Sequence, residues 1–261
     1  MRNRHLQKLR FYTSSTLLFL LHLPFVFAKA KPSHESRPMA SHIESSLLTE
    51  PVSKVTPVKH DNLLSYLYDS LRLNLMGLSH QAFEYAMQGF NYLSETGKIA
   101  NEKIISIVDF SLPSSRKRLF VIDLEKAKVV FNTYVAHGAN SGTATANRFS
   151  NTPESNMSSL GFYETQGTYM GSNGYSLKLE GLESGINDNA NRRAIVIHGA
   201  PYVSESMARM QGYIGRSWGC PALPENLNKP IIDKIKNGSC LFIYSSNKHY
   251  LRHSKIIHPA G

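Results

Sequence analysis

One cysteine in a glycine-containing turn is the side chain best suited to covalent chemistry in this sequence. Cys220 lies between Gly219 and Pro221 in the segment GRSWGCPALP, residues 215–224. A tight turn of this kind holds a thiol at a fixed angle, with backbone N–H groups beside it. The thiolate is the reactive form of cysteine, so the reaction also needs a base. We therefore predict a cysteine nucleophile at position 220.

A histidine at the end of an apolar run is the candidate base. His198 follows the apolar residues 194–197 and precedes Cys220 by 22 positions. A base must come within hydrogen-bond reach of the proton that it removes. A histidine at the end of a buried strand is more often structural, and the glycine-framed cysteine downstream favours the catalytic interpretation. Two groups remain candidates for orienting the imidazole: a backbone carbonyl and Asp188.

The histidine and the turn together resemble the L,D-transpeptidase catalytic domain of the YkuD type. That family has a histidine, a spacer and then Ser/Thr-His-Gly-Cys; here the spacer has 18 residues, and Ser217, Gly219 and Cys220 occupy matching positions. Trp218 replaces the second histidine of the family pattern, and Pro221 follows the cysteine. These departures, with the segments AHGANSG, FSNTPESNMSSLGFYETQGTY and GYSLKLEGLE, resemble a divergent branch described as murein L,D-transpeptidases. The resemblance extends over about residues 103–246.

The resemblance implies an exported, cysteine-dependent peptidoglycan L,D-transpeptidase. Cys220 would form a thioester with a tetrapeptide stem, release the terminal D-alanine and transfer the stem to an amine acceptor, which could be an envelope protein. Backbone N–H groups at Gly219 and Cys220 would stabilise the oxyanion. Two alternatives stay open: an L,D-carboxypeptidase, with water as acceptor, and a catalytically inactive peptidoglycan-binding envelope protein. The changed motif residues Trp218 and Pro221 keep the inactive alternative open.

Five further residues are candidates for contact with the stem peptide. The planar guanidinium of Arg216 suits a carboxylate. Ser217 could bond the base or the substrate, or could stabilise the turn, and Trp218 could be a cleft wall or a core aromatic. His137 ends another β-rich run and precedes a loop, and Tyr202 is a candidate cleft aromatic.

The N-terminus has the features of a secretory signal peptide. Residues 1–30 contain five Lys and Arg and no acidic residue, and an apolar stretch ends in Ala28-Lys29-Ala30. This arrangement predicts cleavage after Ala30 and export to the periplasm or cell envelope. An uncleaved anchor helix is the alternative, but polar residues leave the apolar block shorter than the ~20 residues that span a bilayer. Residues 31–59, rich in Ser, Pro and charge, are predicted to be a flexible linker.

Short β-rich runs dominate residues 101–248, which we predict to be the catalytic domain. The runs lie at 104–110, 118–124, 128–136, 175–181, 193–199 and 239–245. Polar stretches between the first three predict antiparallel hairpins. We predict a mainly β fold, a YkuD-like β-sandwich, with residues 138–174 as a long loop forming a wall of the cleft. Two amphipathic helices in residues 60–100 should pack on this domain, and residues 249–261 should form a polar C-terminal tail.

Composition and cysteine usage argue against several other classes of protein. A disulfide between Cys220 and Cys240 would block the proposed thiol, and the apolar run SCLFIYS favours a buried, structural Cys240. A papain-like peptidase normally has its cysteine before its histidine, the reverse of the order here. The formal net charge of +10 would fall to +5 after removal of residues 1–30, too diffuse a charge to indicate nucleic-acid binding.

The sequence indicates neither a metal site nor a cofactor. Cys220 and Cys240 form no Cys-x-x-Cys pair. Three histidines near the C-terminus are only a weak metal signal because they lie in a polar segment; they are His249, His253 and His258. The expected partners are therefore peptidoglycan stem peptides, with membrane contact through the signal peptide only.

Overall fold

A computed structural model describes residues 60–259 of the chain. The proposed signal peptide and linker, residues 1–59, lie outside the described residues. The strands are β1 (Asn101–Asp109), β2 (Leu119–Asp123), β3 (Lys128–Thr133), β4 (Gly161–Gly171), β5 (Gly174–Gly181), β6 (Val196–Gly199), β7 (Ala222–Leu223) and β8 (Ser239–Tyr244). The α-helices are α1 (His60–Ser70), α2 (Leu73–Met76), α3 (His80–Glu95), α4 (Glu205–Gln211), α5 (Glu225–Ile235) and α6 (Lys248–His253).

The strands form one eight-stranded sheet in the order β3-β2-β1-β8-β4-β5-β6-β7. The mainly β fold is therefore confirmed, whereas the two-sheet sandwich is not, because all eight strands belong to one hydrogen-bonded sheet. A bridge between Ala136, just after β3, and Ala222 in β7 links the two edges. The sheet thus nearly closes into a barrel.

Strand pairing follows the local sequence in the first part of the sheet and departs from it elsewhere. The predicted hairpins β1–β2 and β2–β3 are antiparallel, whereas β1 and β8 pair in parallel. The expected long loop at 138–174 contains β4, which lies between β8 and β5. The register of β4 shifts between Thr165 and Thr168, and this irregularity breaks the alternation by which a strand is recognised.

The N-terminal helices pack on the sheet. Ser79 caps α3, since its side chain accepts a hydrogen bond from the N–H of Ala82 at 3.2 Å. Apolar side chains of α3 are buried at helical spacing, among them Phe83, Ala86, Phe90 and Leu93. None of the helices within residues 60–259 is long and apolar enough to span a membrane.

The C-terminal segment, expected to be a polar tail, contains α6 and buried side chains. Asn247 caps α6 by accepting a hydrogen bond from the N–H of Tyr250. Tyr250 and Ser254 both donate hydrogen bonds to the buried carboxylate of Glu183, and Ile257 has no exposed surface. The segment therefore packs against the residues that follow β5, because its few apolar residues fall at core positions.

Candidate active site

The two faces of the β5–β6–β7 ribbon have different environments. Helix α5 covers the face of Ile197 and Gly199, since a Cβ added at Gly199 would lie 3.1 Å from Cβ of Asn228. Side chains alternate along a strand, so Val196 and His198 project from the opposite face. The predicted base therefore points away from α5.

Strand pairing brings Cys220, in the turn before β7, beside β6, the strand of His198. His198 pairs with Ala222 in the neighbouring parallel strand, and Cys220 precedes Ala222 by two residues. Within residues 60–259 no hydrogen bond joins the thiol to the imidazole; instead the Val196 N–H donates to Sγ at 3.5 Å.

A backbone carbonyl orients the imidazole of His198. Its Nδ1 lies 2.9 Å from the carbonyl oxygen of Gly199. A carbonyl only accepts hydrogen bonds, so Nδ1 carries the proton and Nε2 retains the free lone pair. Asp188, the other candidate from sequence, instead accepts hydrogen bonds from Asn151 and the backbone of Gly185. The neutral imidazole is thus in the tautomer that a base requires.

Burial disfavours the ionised form of the Cys220 thiol. Cys220 is half-buried, and the loss of solvation raises the pKa of its thiol. The hydrogen bond from Val196, the positive charge of Arg193 and the N–H of Cys220 itself each lower this pKa, but by less than burial raises it. The nucleophile therefore needs a base at the time of reaction.

The turn around Cys220 is organised by Ser217. Its hydroxyl accepts a hydrogen bond from the N–H of Gly219 at 3.1 Å and donates to the carbonyl of Cys220 at 2.6 Å. Both bonds are internal to the turn, so this side chain supports the cysteine. The bond to Ser217 occupies the Gly219 N–H, one of the two donors that the sequence suggested for the oxyanion. The N–H of Cys220 is the other donor of that pair.

Position 219 requires glycine because of its backbone conformation and because other atoms lie close to it. Its φ of +130° is a conformation that L side chains rarely adopt. An added Cβ would lie 2.9 Å from the carbonyl oxygen of Met157 and 3.0 Å from Cδ1 of Ile195. Since the Gly219 carbonyl also accepts a hydrogen bond from Ser158 at 3.0 Å, the turn is anchored on both sides.

Arg193 is a site residue that sequence reasoning missed. Its Nη1 donates to the carbonyl of Ser150 at 2.7 Å and its Nη2 to that of Met157 at 2.6 Å. Its Nε is buried without a hydrogen-bond partner among the described residues. The guanidinium also lies beside the cysteine turn, because Nη2 is 3.4 Å from a Cβ built at Gly219. In the sequence, only its position at the start of the apolar run that leads to His198 could have indicated a role at the site.

His137, a predicted substrate contact, lies beneath the site with no exposed surface. The fully buried Arg118 donates from Nη2 to Nδ1 of His137 at 2.7 Å, and Nε2 of the histidine is 3.3 Å from the carbonyl oxygen of Gly142. Burial and the charge of Arg118 lower the pKa of His137 to about 4. The structure does not place this side chain where a substrate could touch it. Its backbone carbonyl instead accepts a hydrogen bond from the N–H of Ser217 at 3.0 Å.

The other three predicted substrate contacts differ in exposure. Trp218 is 83% exposed, which excludes the core position considered from sequence. Arg216 is exposed, and its Nη1 donates to the carbonyls of Ala139 and Gly142. Tyr202 is half-buried, and burial, with a smaller contribution from Cys220, raises its pKa to about 12.

The remaining chemistry of the described residues is limited. Both cysteines are free, and burial raises the pKa of Cys240, which has no exposed surface, well above its usual range. Within residues 60–259, no three His, Cys, Asp or Glu side chains are grouped to hold a metal ion. The arrangement of Cys220, His198 and the surrounding turn is that of a candidate acyl-transfer site.

Comparison with known proteins assigns the family. The profile described as L,D-transpeptidase catalytic domain, of the second YkuD type, matches residues 75–244. The chain belongs to this family of L,D-transpeptidase catalytic domains, as the sequence motifs predicted. A search of curated proteins gives no match.

Several solved structures are similar to this chain at low identity. An L,D-transpeptidase from Mycobacterium smegmatis has 12% identity and a TM-score of 0.34, over 55% of this chain and 59% of that one. The helical cell shape determining protein Pgp2 from Campylobacter jejuni, as a K307A mutant, has 16% identity and a TM-score of 0.38, over 63% and 57%. An L,D-transpeptidase from Stackebrandtia nassauensis has 14% identity and a TM-score of 0.34, over 72% and 78%. The chain thus spans less than two thirds of the length of the first two.

Proposed function

We propose that this protein is a peptidoglycan L,D-transpeptidase exported to the periplasm or cell envelope, with Cys220 as its nucleophile and His198 as its base. The observation that carries the proposal is the contact between Sγ of Cys220 and the backbone N–H of Val196, which lies two residues before His198 on the same strand. Membership of the family supplies the substrate class, the stem peptides of peptidoglycan. The basic and apolar residues 1–30 support export.

The first half of the reaction forms a thioester. Nε2 of His198 takes the proton from Cys220 as the sulfur attacks the carbonyl carbon of the third stem residue. A C–S bond forms, and the carbonyl oxygen becomes an oxyanion that the N–H of Cys220 stabilises. The C–N bond to the terminal D-alanine then breaks, and protonated His198 gives its proton to the departing amine.

The second half of the reaction transfers the stem. An acceptor amine, from another stem or from an envelope protein, attacks the thioester carbonyl and passes its proton to His198. A new C–N bond forms as the C–S bond breaks, and the proton returns to the sulfur. Water in place of the amine would give a carboxypeptidase, and binding without turnover would leave the thiol unacylated.

The supporting residues have distinct roles in this proposal. Ser217 and Gly219 set the angle of the thiol, and Arg193 favours its ionised form through its charge. The exposed Trp218 and Arg216, with Tyr202, contact the stem peptide near the motif. The burial of His137 argues for a supporting rather than a substrate-binding role.

Incubation with a defined disaccharide tetrapeptide, with and without an amine acceptor, tests the proposal. Mass spectrometry should show an acyl-enzyme that lacks D-alanine, followed by a transfer product. Cys220→Ala should form neither while remaining folded, and the matched Cys240→Ala variant should keep the acylation because Cys240 is buried. Hydrolysis alone would identify a carboxypeptidase, and an unmodified wild-type protein with intact peptide would refute the enzyme.

A further inference from the structure

Tyr169 and Lys178 project from the same face of the sheet as His198, the proposed base. Tyr169 of β4 pairs with Ser176 of β5, and Ser176 pairs with His198 of β6. One row of cross-strand neighbours therefore runs from Tyr169 to the proposed base. Lys178, two residues after Ser176, pairs with Val196. Because side chains alternate along each strand, these residues share one face.

The positive charge of Lys178 is positioned but not neutralised. Its Nζ lies 5.6 Å from the centroid of the Tyr169 ring, within the range of a cation–π interaction. No carboxylate among residues 60–259 forms an ion pair with Lys178, and its side chain is exposed. Tyr169 is 38% exposed. The pair thus presents a cation and an aromatic ring to solvent beside the site.

A cavity beside this pair is lined by residues that contact the thiol. Tyr169, Lys178, Ala194 and Val196 all line a cavity of about 280 Å³. The carbonyl oxygen of Ala194 lies 3.7 Å from Sγ of Cys220, and the nitrogen of Val196 lies 3.5 Å from it. Two residues of the cavity wall therefore contact the proposed nucleophile through their backbone atoms.

The cavity continues along β5 beyond Lys178. A second cavity of about 500 Å³ shares Lys178 and Asn191 with the first and extends to Gln166 and Glu180. The two cavities together form a groove along β5, the β5 groove, and one end of it is lined by the two residues whose backbone contacts Cys220.

We propose that the β5 groove binds the acyl-donor stem peptide and that Lys178 pairs with a carboxylate of that peptide. This inference rests on the proposed function, which supplies the peptide. A tetrapeptide stem has one carboxylate on its terminal D-alanine and can have another on the diamino acid that is cut. Lys178 lies two strands from Cys220, roughly 10 Å away, and a carboxylate within one or two residues of the scissile carbonyl is within its reach.

Tyr169 positions the lysine and provides an apolar contact for the peptide. The Tyr169 ring lies against Gly171, the last residue of β4, since a Cβ added at Gly171 would be 2.7 Å from Cε2 of Tyr169. This contact keeps the ring beside Lys178. Arg216 is the residue that the sequence suggested for binding the carboxylate, so it is the alternative to Lys178 in the test. Its Nη1 donates to two backbone carbonyls.

Peptide binding to protein with Cys220→Ala tests the inference without turnover. Calorimetric titrations would use a stem tetrapeptide in three forms: the free acid, the C-terminal amide and the amide of the diamino-acid carboxylate. Lys178→Met should weaken binding of the free acid by about tenfold and abolish the discrimination against one of the two amides. The amide that is no longer discriminated against marks the carboxylate that pairs with Lys178. Lys178→Arg should retain most of the affinity.

A matched control separates a local effect from a general charge effect. Lys128 is also an exposed strand lysine, at the start of β3, and Lys128→Met should leave binding unchanged. Equal affinity of Lys178→Met and its parent would overturn the inference and leave the proposed function standing. Loss of amide discrimination in Arg216→Gln but not in Lys178→Met would also overturn it. Failure of the parent to bind any form, with no acylation of the wild type, would refute the proposed function and this inference with it.

Discussion

The backbone N–H of Val196 donates a hydrogen bond to Sγ of Cys220 at 3.5 Å. This contact fixes the thiol against the β6 strand at a position two residues before His198. It also provides the second largest influence on the pKa of the thiol, which it lowers, whereas burial raises that pKa. The start of β6 thus holds the thiol in place and partly offsets the effect of burial on its pKa.

Replacement of His198 by alanine should slow acylation of Cys220 by roughly 10²–10⁴-fold at pH 7, because the buried thiol would lose its base. Stopped-flow or mass-spectrometric rates with a carbapenem or a stem peptide measure the loss. The rate should recover in part as the pH rises, since hydroxide can then remove the proton. His253→Gln, an exposed position, should react as the wild type does. Full activity of His198→Ala would remove His198 from the mechanism.

Replacement of Arg193 by glutamine should move the pH midpoint of Cys220 alkylation upwards. The charge of Arg193 lowers the pKa of this thiol, so its removal leaves burial less opposed. Iodoacetamide rates between neutral and alkaline pH would give the midpoint. The neighbouring Arg192 is exposed, and Arg192→Gln is the matched control. A purely structural role for Arg193 would lower the melting temperature without moving the midpoint, and that result would contradict this assignment.

Replacement of Gly219 by alanine should destabilise the turn and abolish acylation. The residue would have to adopt φ of +130° and its Cβ would meet the carbonyl oxygen of Met157 at 2.9 Å. Such strain costs about 1–3 kcal/mol, which a thermal or urea unfolding curve can detect. Gly167→Ala is the control, since an added Cβ there meets nothing within 4 Å. Wild-type stability and activity of Gly219→Ala would show that the turn tolerates a side chain.

The contribution of His137 to the free energy of unfolding should decrease as the pH falls from about 6.5 to about 4. Burial and the neighbouring Arg118 lower the pKa of His137 from 6.5 to about 4 in the folded protein. Between these values the unfolded chain binds the proton and the folded chain does not, so acid favours unfolding, by up to about 3 kcal/mol. Urea unfolding at several pH values measures this dependence, which His137→Gln should reduce.

Two further measurements on the same histidine make this prediction independent of how well the variant folds. NMR titration of the wild type should show the His137 ring still neutral at pH 5. His249→Gln, at an exposed position, should leave the pH dependence of stability unchanged. A His137 pKa near 6.5 would contradict the buried arrangement with Arg118.

The sequence by itself identified the family, the mainly β class and the first two hairpins. Those features depend on short stretches: the histidine before a glycine, the cysteine framed by glycine and proline, and polar turns between apolar runs. Local backbone preferences and spacing are enough to read them. The capping of α3 by Ser79 is local in the same way.

The tertiary structure decided which other side chains surround the proposed nucleophile. β4 escaped prediction because its register shifts, and the two residues of β7 are too few to show any alternation. Arg193 meets the cysteine turn through a loop some 40 residues earlier in the chain, and the burial of His137 depends on Arg118. Such contacts follow from the pairing of strands that are distant in sequence, and pairing register is a property of the whole sheet rather than of any one segment.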